Sequence, residues 1–311
     1  MGAKKSVFAS KAERANYGKL SRQWGEGYHI YHNLPFLHVF DTDNLTDFSN
    51  ILDLKPIHLT DIQLQRLKKT SIDYTFCDRD DCPILCIEFD GLQDGFNVGN
   101  RYYSEIPANP WRRRIMDLKL QVAHGSLFPF VVVGSVHFDE MSPQIKITIV
   151  DGIIGDVLAH RDMHSVIAKG FSPDAVGMSQ ADFDNLTDSQ QQKKIQGWIF
   201  EIEAEADFKH NPIYQEIAKL GKELGFFGGR AEWIHYPNPD RAKTSEERRK
   251  MIDAAILEGT KFTITHPTVG EVSRTVMLPQ FKTFGVSTLT LSQEMARLVA
   301  LDTLRQKLHE A

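Results

Sequence analysis

The sequence is short of cysteine, carries no excess of basic residues and has no long hydrophobic run, and each shortage excludes something. The cysteines are three, Cys77, Cys82 and Cys86. A zinc site would need a fourth ligand, and this spacing fits no common zinc pattern, so reduced packing cysteines are expected. No stretch approaches the roughly 18 apolar residues that a membrane span requires. The opening Met-Gly-Ala-Lys-Lys-Ser-Val-Phe also lacks the apolar segment of a signal peptide. A cytoplasmic protein without membrane contact is the expectation. Net charge is -5, so any surface for nucleic acid must be local. Repeats, low-complexity tracts and coiled-coil heptads are absent too. What remains is 311 residues, 41% hydrophobic and 25% charged, an ordinary globular composition long enough for two domains.

The most informative stretch is Ser71 to Gly91. Two apolar runs, Ile72 to Cys77 and Pro83 to Phe89, flank the polar turn Asp78 to Asp81, which predicts a β-hairpin. Its strands carry acids where core strands should carry none: Asp73, Glu88 and Asp90. Alternation puts Glu88 and Asp90 on one face. Pairing about the Asp80-Asp81 turn sets Asp73 near Glu88, because 73 + 88 equals 80 + 81. Like charges crowded into an apolar sheet are costly unless a cation neutralises them. Hard cations such as Mg²⁺ take carboxylate and carbonyl oxygens, so the three acids predict a divalent-metal site.

Other elements follow from local signals. Ser10 with Glu13 is a capping box for a helix to about Trp24, and Thr60 opens a helix to about Lys69. Residues 28 to 40 read as a strand pair or one bent strand, and Leu45 to Leu54 as an irregular or helical piece. The Gly- and Asn-rich segment after Gly91 reads as a long loop. Pro110 starts a helix to about His124, basic at Arg112, Arg113, Arg114 and Lys119. The continuous apolar run Phe128 to Gly134 predicts a buried strand. A new unit is expected from Ile145: a strand to Val150, a turn at Asp151-Gly152, then a helix from Val157 to Lys169. Thr187 with Gln190 opens a helix that Asn211-Pro212 breaks and restarts. A helix over Ser245 to Leu257, two strands within Lys261 to Leu278 and a helix over Ser292 to His309 complete the chain.

With these elements in place, residues 7 to 140 resemble the PD-(D/E)XK, or restriction-endonuclease-like, nuclease superfamily. The resemblance rests on Ile72-Asp73-Tyr74, Cys86-Ile87-Glu88-Phe89-Asp90-Gly91, and Asp117-Leu118-Lys119 before Phe130-Val131-Val132-Val133. It is strongest toward the bacterial branch near the very-short-patch-repair endonucleases, where Glu-x-Asp-Gly replaces Glu-x-Lys. The opening Ala12-Glu13-Arg14 helix and Leu34-Pro35-Phe36 also look like that branch. The resemblance implies an α/β (α+β) fold, a mixed sheet flanked by helices. Residues 145–311 would add a helix-rich mixed α/β domain without an assigned role. It further implies a Mg²⁺- or Mn²⁺-dependent endonuclease acting on nucleic acid, DNA by preference, in a family whose members often work as homodimers.

On that reading Asp73, Glu88 and Asp90 hold the metal. Lys119 orients water or neutralises phosphate, and Arg112, Arg113 and Arg114 contact the backbone phosphates. Two departures stand out. Asp90 occupies the place of the usual lysine, and Gln93 or Asp94 that of a common histidine. The rival is a catalytically inactive module of the same fold that binds nucleic acid or a protein. Several other residues have plainer structural uses. Glu13 reads as a cap, Asp117 equally as a salt-bridge partner of Arg113 or Arg114, and His160 with His164 as surface histidines. Glu201, Glu203, Glu205 and Asp207 read as a solvated acidic surface, and Trp198, Trp233 and Tyr236 as core.

Overall fold

A computed structural model describes residues 8, 10–48, 54–92, 94–104, 109–226, 228–236, 242–254 and 256–310. In chain order the first half runs α1 (Lys11–Trp24), β1 (His29–Pro35), the two-residue strands β2 (Thr46–Asp47) and β3 (Lys55–Pro56), and α2 (Asp61–Leu67). There follow β4 (Ser71–Cys77), β5 (Pro83–Phe89), β6 (Phe96–Val98), β7 (Arg101–Tyr103), α3 (Pro110–Gly125) and β8 (Phe130–Val133). The second half runs α4 (Ile149–Ile167), α5 (Gln180–Asp184), α6 (Asp188–His210), α7 (Pro212–Leu224) and β9 (Arg230–Tyr236). It closes with α8 (Ser245–Ala254), β10 (Leu257–His266), β11 (Gly270–Pro279) and α9 (Thr288–Glu310). The fold is mixed α/β. Gln93 and most of the 45–54 piece's second half (49–53) lie outside the described residues.

The central sheet has the order β1-β4-β5-β8. Its first three strands are antiparallel, and β8 joins β5 in parallel. The hairpin pairs Tyr74 with Ile87 and Thr75 with Cys86. That is the register expected from the sequence, and its next step sets Asp73 opposite Glu88. Period-two alternation sends the two faces to different cores. Tyr74, Phe76, Leu85, Ile87, Val131 and Val133 join the larger apolar cluster with Leu20 and Trp24 of α1. Cys86, Phe130 and Val132 join Leu118, Leu120 and Val122 of α3 and Leu67 of α2.

The larger cluster does not stop at the boundary expected near residue 145. It continues through Ile153, Ile154, Val157, Ile217, Phe262, Leu298 and Leu304. Polar groups cross the same line. Asn97 accepts the Val132 N–H at 2.8 Å and donates to the Phe281 carbonyl at 3.1 Å, and the Thr283 hydroxyl donates to the Phe130 carbonyl at 3.0 Å. In the second half a sheet of order β11-β10-β9 packs against α9.

Several elements differ from the sequence expectation, each for a physical reason. Residues 149 to 156 are helix, not strand and turn. Val150, Ile153, Ile154, Val157 and Leu158 are buried at helical spacing. Thr148 and Asp151 close a capping box that overrides the β-branched composition. The glycine-rich segment after Gly91 contains the small hairpin β6–β7, pinned by Asn97. The 28–40 stretch is one strand followed by a 3₁₀ turn over Phe36–His38. Strand β9 carries exposed Trp233, which does not belong to the core. Cys77 and Cys86 are buried, Cys82 is exposed, and all three are free thiols. Among the described residues no helix is long and apolar enough to cross a membrane.

Candidate active site

A cavity of about 1,220 Å³ opens where the β4–β5 hairpin meets α1, α2 and α3. Its floor carries Asp73 from β4 and Glu88 and Phe89 from β5. Glu13 enters from α1, Arg66 from α2, and Trp111, Arg112 and Lys119 from α3. The scaffold behind these groups is locally determined. Asn109 caps α3 by accepting the Trp111 N–H at 2.9 Å, with Pro110 at the first helical position. Arg112 and Lys119 then fall seven residues apart, two turns along one face.

Lys119 is buried and places Nζ 2.7 Å from Glu88 Oε1 and 2.7 Å from the Ser71 carbonyl. The other carboxylate oxygen, Glu88 Oε2, is buried without a hydrogen-bond partner. Asp73 Oδ2 accepts the Phe89 N–H at 2.8 Å, which ties the acid to the strand that bears Glu88. Burial, and then the charge of Glu88, push the Asp73 carboxyl up to about 8, against the pull of Phe89 N–H and Lys119. A bound cation would oppose both causes.

Asp90 stands elsewhere. It is fully buried, but its oxygens are taken by Arg112 Nη2 at 2.8 Å and by the Tyr102 hydroxyl. It does not line the cavity. Strand β5 ends at Phe89, so the alternation that placed Asp90 beside Glu88 lapses at the residue itself. Gly95 lies so close to Asp90 and Tyr102 that a Cβ there would collide with both side chains. The loop after Gly91 is thereby wrapped around this acid.

Of the three consecutive arginines only Arg112 faces the cavity. Its Nε is buried and has no hydrogen-bond partner. Arg113 and Arg114 are exposed on the far side of α3. Arg113 Nε lies 4.0 Å from Asp117, whose Oδ1 accepts the Tyr102 N–H at 2.8 Å. Asp117 is thus a structural partner.

Glu13 is more than the cap that its position implies. The capping box with Ser10 forms, and the same side chain is buried, lines the cavity and meets His32 Nε2 at 2.6 Å. The cap signal concealed this second use. Arg66, whose guanidinium lies 4.9 Å from the Trp111 ring centre, carries no sequence signal at all.

Among the described residues no three or more His, Cys, Asp or Glu side chains gather as a ready metal-ligand set. Mg²⁺ commonly uses one or two carboxylates and completes its shell with water and phosphate oxygens. Asp73 and Glu88, with the unpartnered Oε2, fit a cation of that kind. No family model, no curated protein and no solved structure matches the chain.

Proposed function

We propose that the protein is a divalent-metal-dependent nuclease of the restriction-endonuclease-like class, with DNA as substrate. One observation carries this reading. The same cavity holds a buried acceptor without a donor, Glu88 Oε2, and a buried donor without an acceptor, Arg112 Nε. The first calls for a cation and the second for an anion, and a metal-bound phosphodiester supplies both.

Each residue then has a role that the geometry supports. Asp73 and Glu88 would hold Mg²⁺ or Mn²⁺, which when bound polarises a phosphoryl oxygen and eases deprotonation of water. Lys119, fixed by Glu88 and Ser71, presents an ammonium beside the point of attack and stabilises the developing negative charge. It occupies the chemical place left open by Asp90, coming from α3 rather than from β5. Asp90 is a positioning residue that aims Arg112 at a phosphate, in place of the metal-ligand role the sequence implied. Arg66 and Lys69 add positive charge at the cavity wall.

The test is cleavage of plasmid and of single-stranded DNA by the purified chain with Mg²⁺ or Mn²⁺, beside Asp73→Asn and Glu88→Gln. The expected result is metal-dependent cleavage abolished by either substitution. Cleavage that persists in both would overturn the assignment. Binding without cleavage in the unsubstituted chain would favour the inactive-module reading.

A further inference from the structure

A second cavity, of about 250 Å³, lies in the other half of the molecule, between α4, α6, α7 and the start of α9. Asp156 and His160, four residues apart on α4, face Glu203 and Asp207, four apart on α6. Tyr214 of α7 and the hydroxyl residues Ser287 and Thr290 complete the wall. The first site uses none of these residues.

Two buried atoms here lack a hydrogen-bond partner of good geometry. Asn211 donates to Asp156 Oδ1 at 2.8 Å, but Asp156 Oδ2 has no hydrogen-bond partner of good geometry. His160 Nε2 is buried and unpartnered as well. The His160 ring lies tilted against His164, with ring centres 4.2 Å apart, and meets Phe284 edge to face at 4.9 Å. Burial, and then His164, hold its imidazole below the usual range, which favours the neutral form.

The charge is equally one-sided. Among the described residues no lysine or arginine lines the cavity. The nearby cations are spent elsewhere: Arg161 on Asp78 at 3.0 Å, and Lys209 and His210 on Asp162 at 2.7 and 2.9 Å. Burial, and then Asp207, push the Asp156 carboxyl well above its ordinary range; Asn211 and the Ser287 N–H pull it back in part. Burial, and then Glu203, raise Asp207 to about 6. An enclosed acid whose charged form burial disfavours is a site that a cation would complete.

We propose that this cavity binds a small organic cation carrying a primary ammonium group. A bare metal ion fits less well. Among the described residues no three potential ligands gather closely enough to hold one, and the volume exceeds what an ion needs. An ammonium donates three hydrogen bonds and can bridge acids that stand apart on two helices. Asp156 Oδ2 and Asp207 are its main acceptors, Glu203 guards the mouth, and His160 and Thr290 supply further polar contacts.

The probe is putrescine, a four-carbon diamine, titrated calorimetrically into the full chain, with the matching butanediol as a neutral control. The expected result is saturable binding of one diamine per chain, weakened at least about tenfold by Asp156→Asn and by Asp207→Asn. Glu88→Gln, in the other cavity, leaves the affinity unchanged. These amide variants remove like-charge repulsion, so melting curves at least as stable as the unsubstituted chain's show that both remain folded. Absence of saturable binding would overturn the proposal. So would equal binding of the diol, affinity unchanged in the variants, or uptake of Mn²⁺ or Zn²⁺ alone in place of the diamine. Failure of the nuclease assay leaves this test untouched, because the two cavities share no residue.

Discussion

Lys119 Nζ lies 2.7 Å from Glu88 Oε1, and both side chains are buried, so the pair is structural whatever further part it plays in the proposed chemistry. Removing one partner leaves an uncompensated charge in the sheet, a loss of about 3–5 kcal/mol. Lys119→Met should therefore lower stability in urea unfolding as well as abolish cleavage. Combining it with Glu88→Gln should recover most of that stability while activity stays absent. A double variant no more stable than the single one would mean that the two side chains do not depend on each other.

The Asp73 carboxyl gives a pH signature. Its folded-state value is about 8, against an ordinary 3.8. Between those values the folded chain keeps a proton that the unfolded chain has released, so this group makes stability fall as pH rises through the window. Asp73→Asn removes that contribution. Its stability relative to the unsubstituted chain should rise from about pH 5 to about pH 8.5, by about 4 kcal/mol. Mg²⁺ competes with the same proton, so its stabilisation of the unsubstituted chain should be larger at the higher pH. A variant that tracks the unsubstituted chain across the range would remove Asp73 from the charge cluster.

Arg112 differs from its two neighbours in what it touches. It faces the cavity and is held by buried Asp90, whereas Arg113 and Arg114 face outward. Arg112→Ala should lower kcat on DNA by about 10²-fold, the usual cost of one charge-stabilising donor. Arg113→Ala and Arg114→Ala should stay within about twofold, as exposed substitutions do. Asp90→Asn should weaken activity through Arg112 and leave the metal concentration for half-maximal rate unchanged. A shift in that concentration would restore Asp90 as a ligand.

The hairpin was legible because alternation and turn position fix a register, and a register fixes which acids meet. The expected pairing of Asp73 with Glu88 follows from the observed Tyr74–Ile87 step. Asp90 shows where that logic ends, since strand alternation says nothing of a residue just beyond the last ladder position. The first two turns of the helix Ile149–Ile167 were hidden because their apolar residues, Ile149, Val150, Ile153 and Ile154, are β-branched, a composition shared with strands. Glu13 was hidden by its own cap. A side chain that satisfies a backbone N–H locally still has a second oxygen, and only the packing of α1 beside β1 brings that oxygen to His32. The shared core of the two halves carries no local signal, because contacts between distant segments leave none in a short window.

Trp111 is the largest exposed apolar group at the cavity mouth, 53% accessible, with Arg66 against its ring and exposed Ile62 and Leu92 nearby. An aromatic face backed by a guanidinium is a surface on which an unpaired base can stack, worth about 1–3 kcal/mol per base. Trp111→Ala should therefore raise KM for single-stranded DNA by about tenfold or more, with little change in kcat, because the ring lies at the mouth and the acids lie on the floor. Trp111→Phe, which keeps a smaller ring, should restore part of the loss. Filter binding in Ca²⁺ separates affinity from cleavage. Equal affinity of Trp111→Ala and the unsubstituted chain would leave the ring without a role in holding nucleic acid.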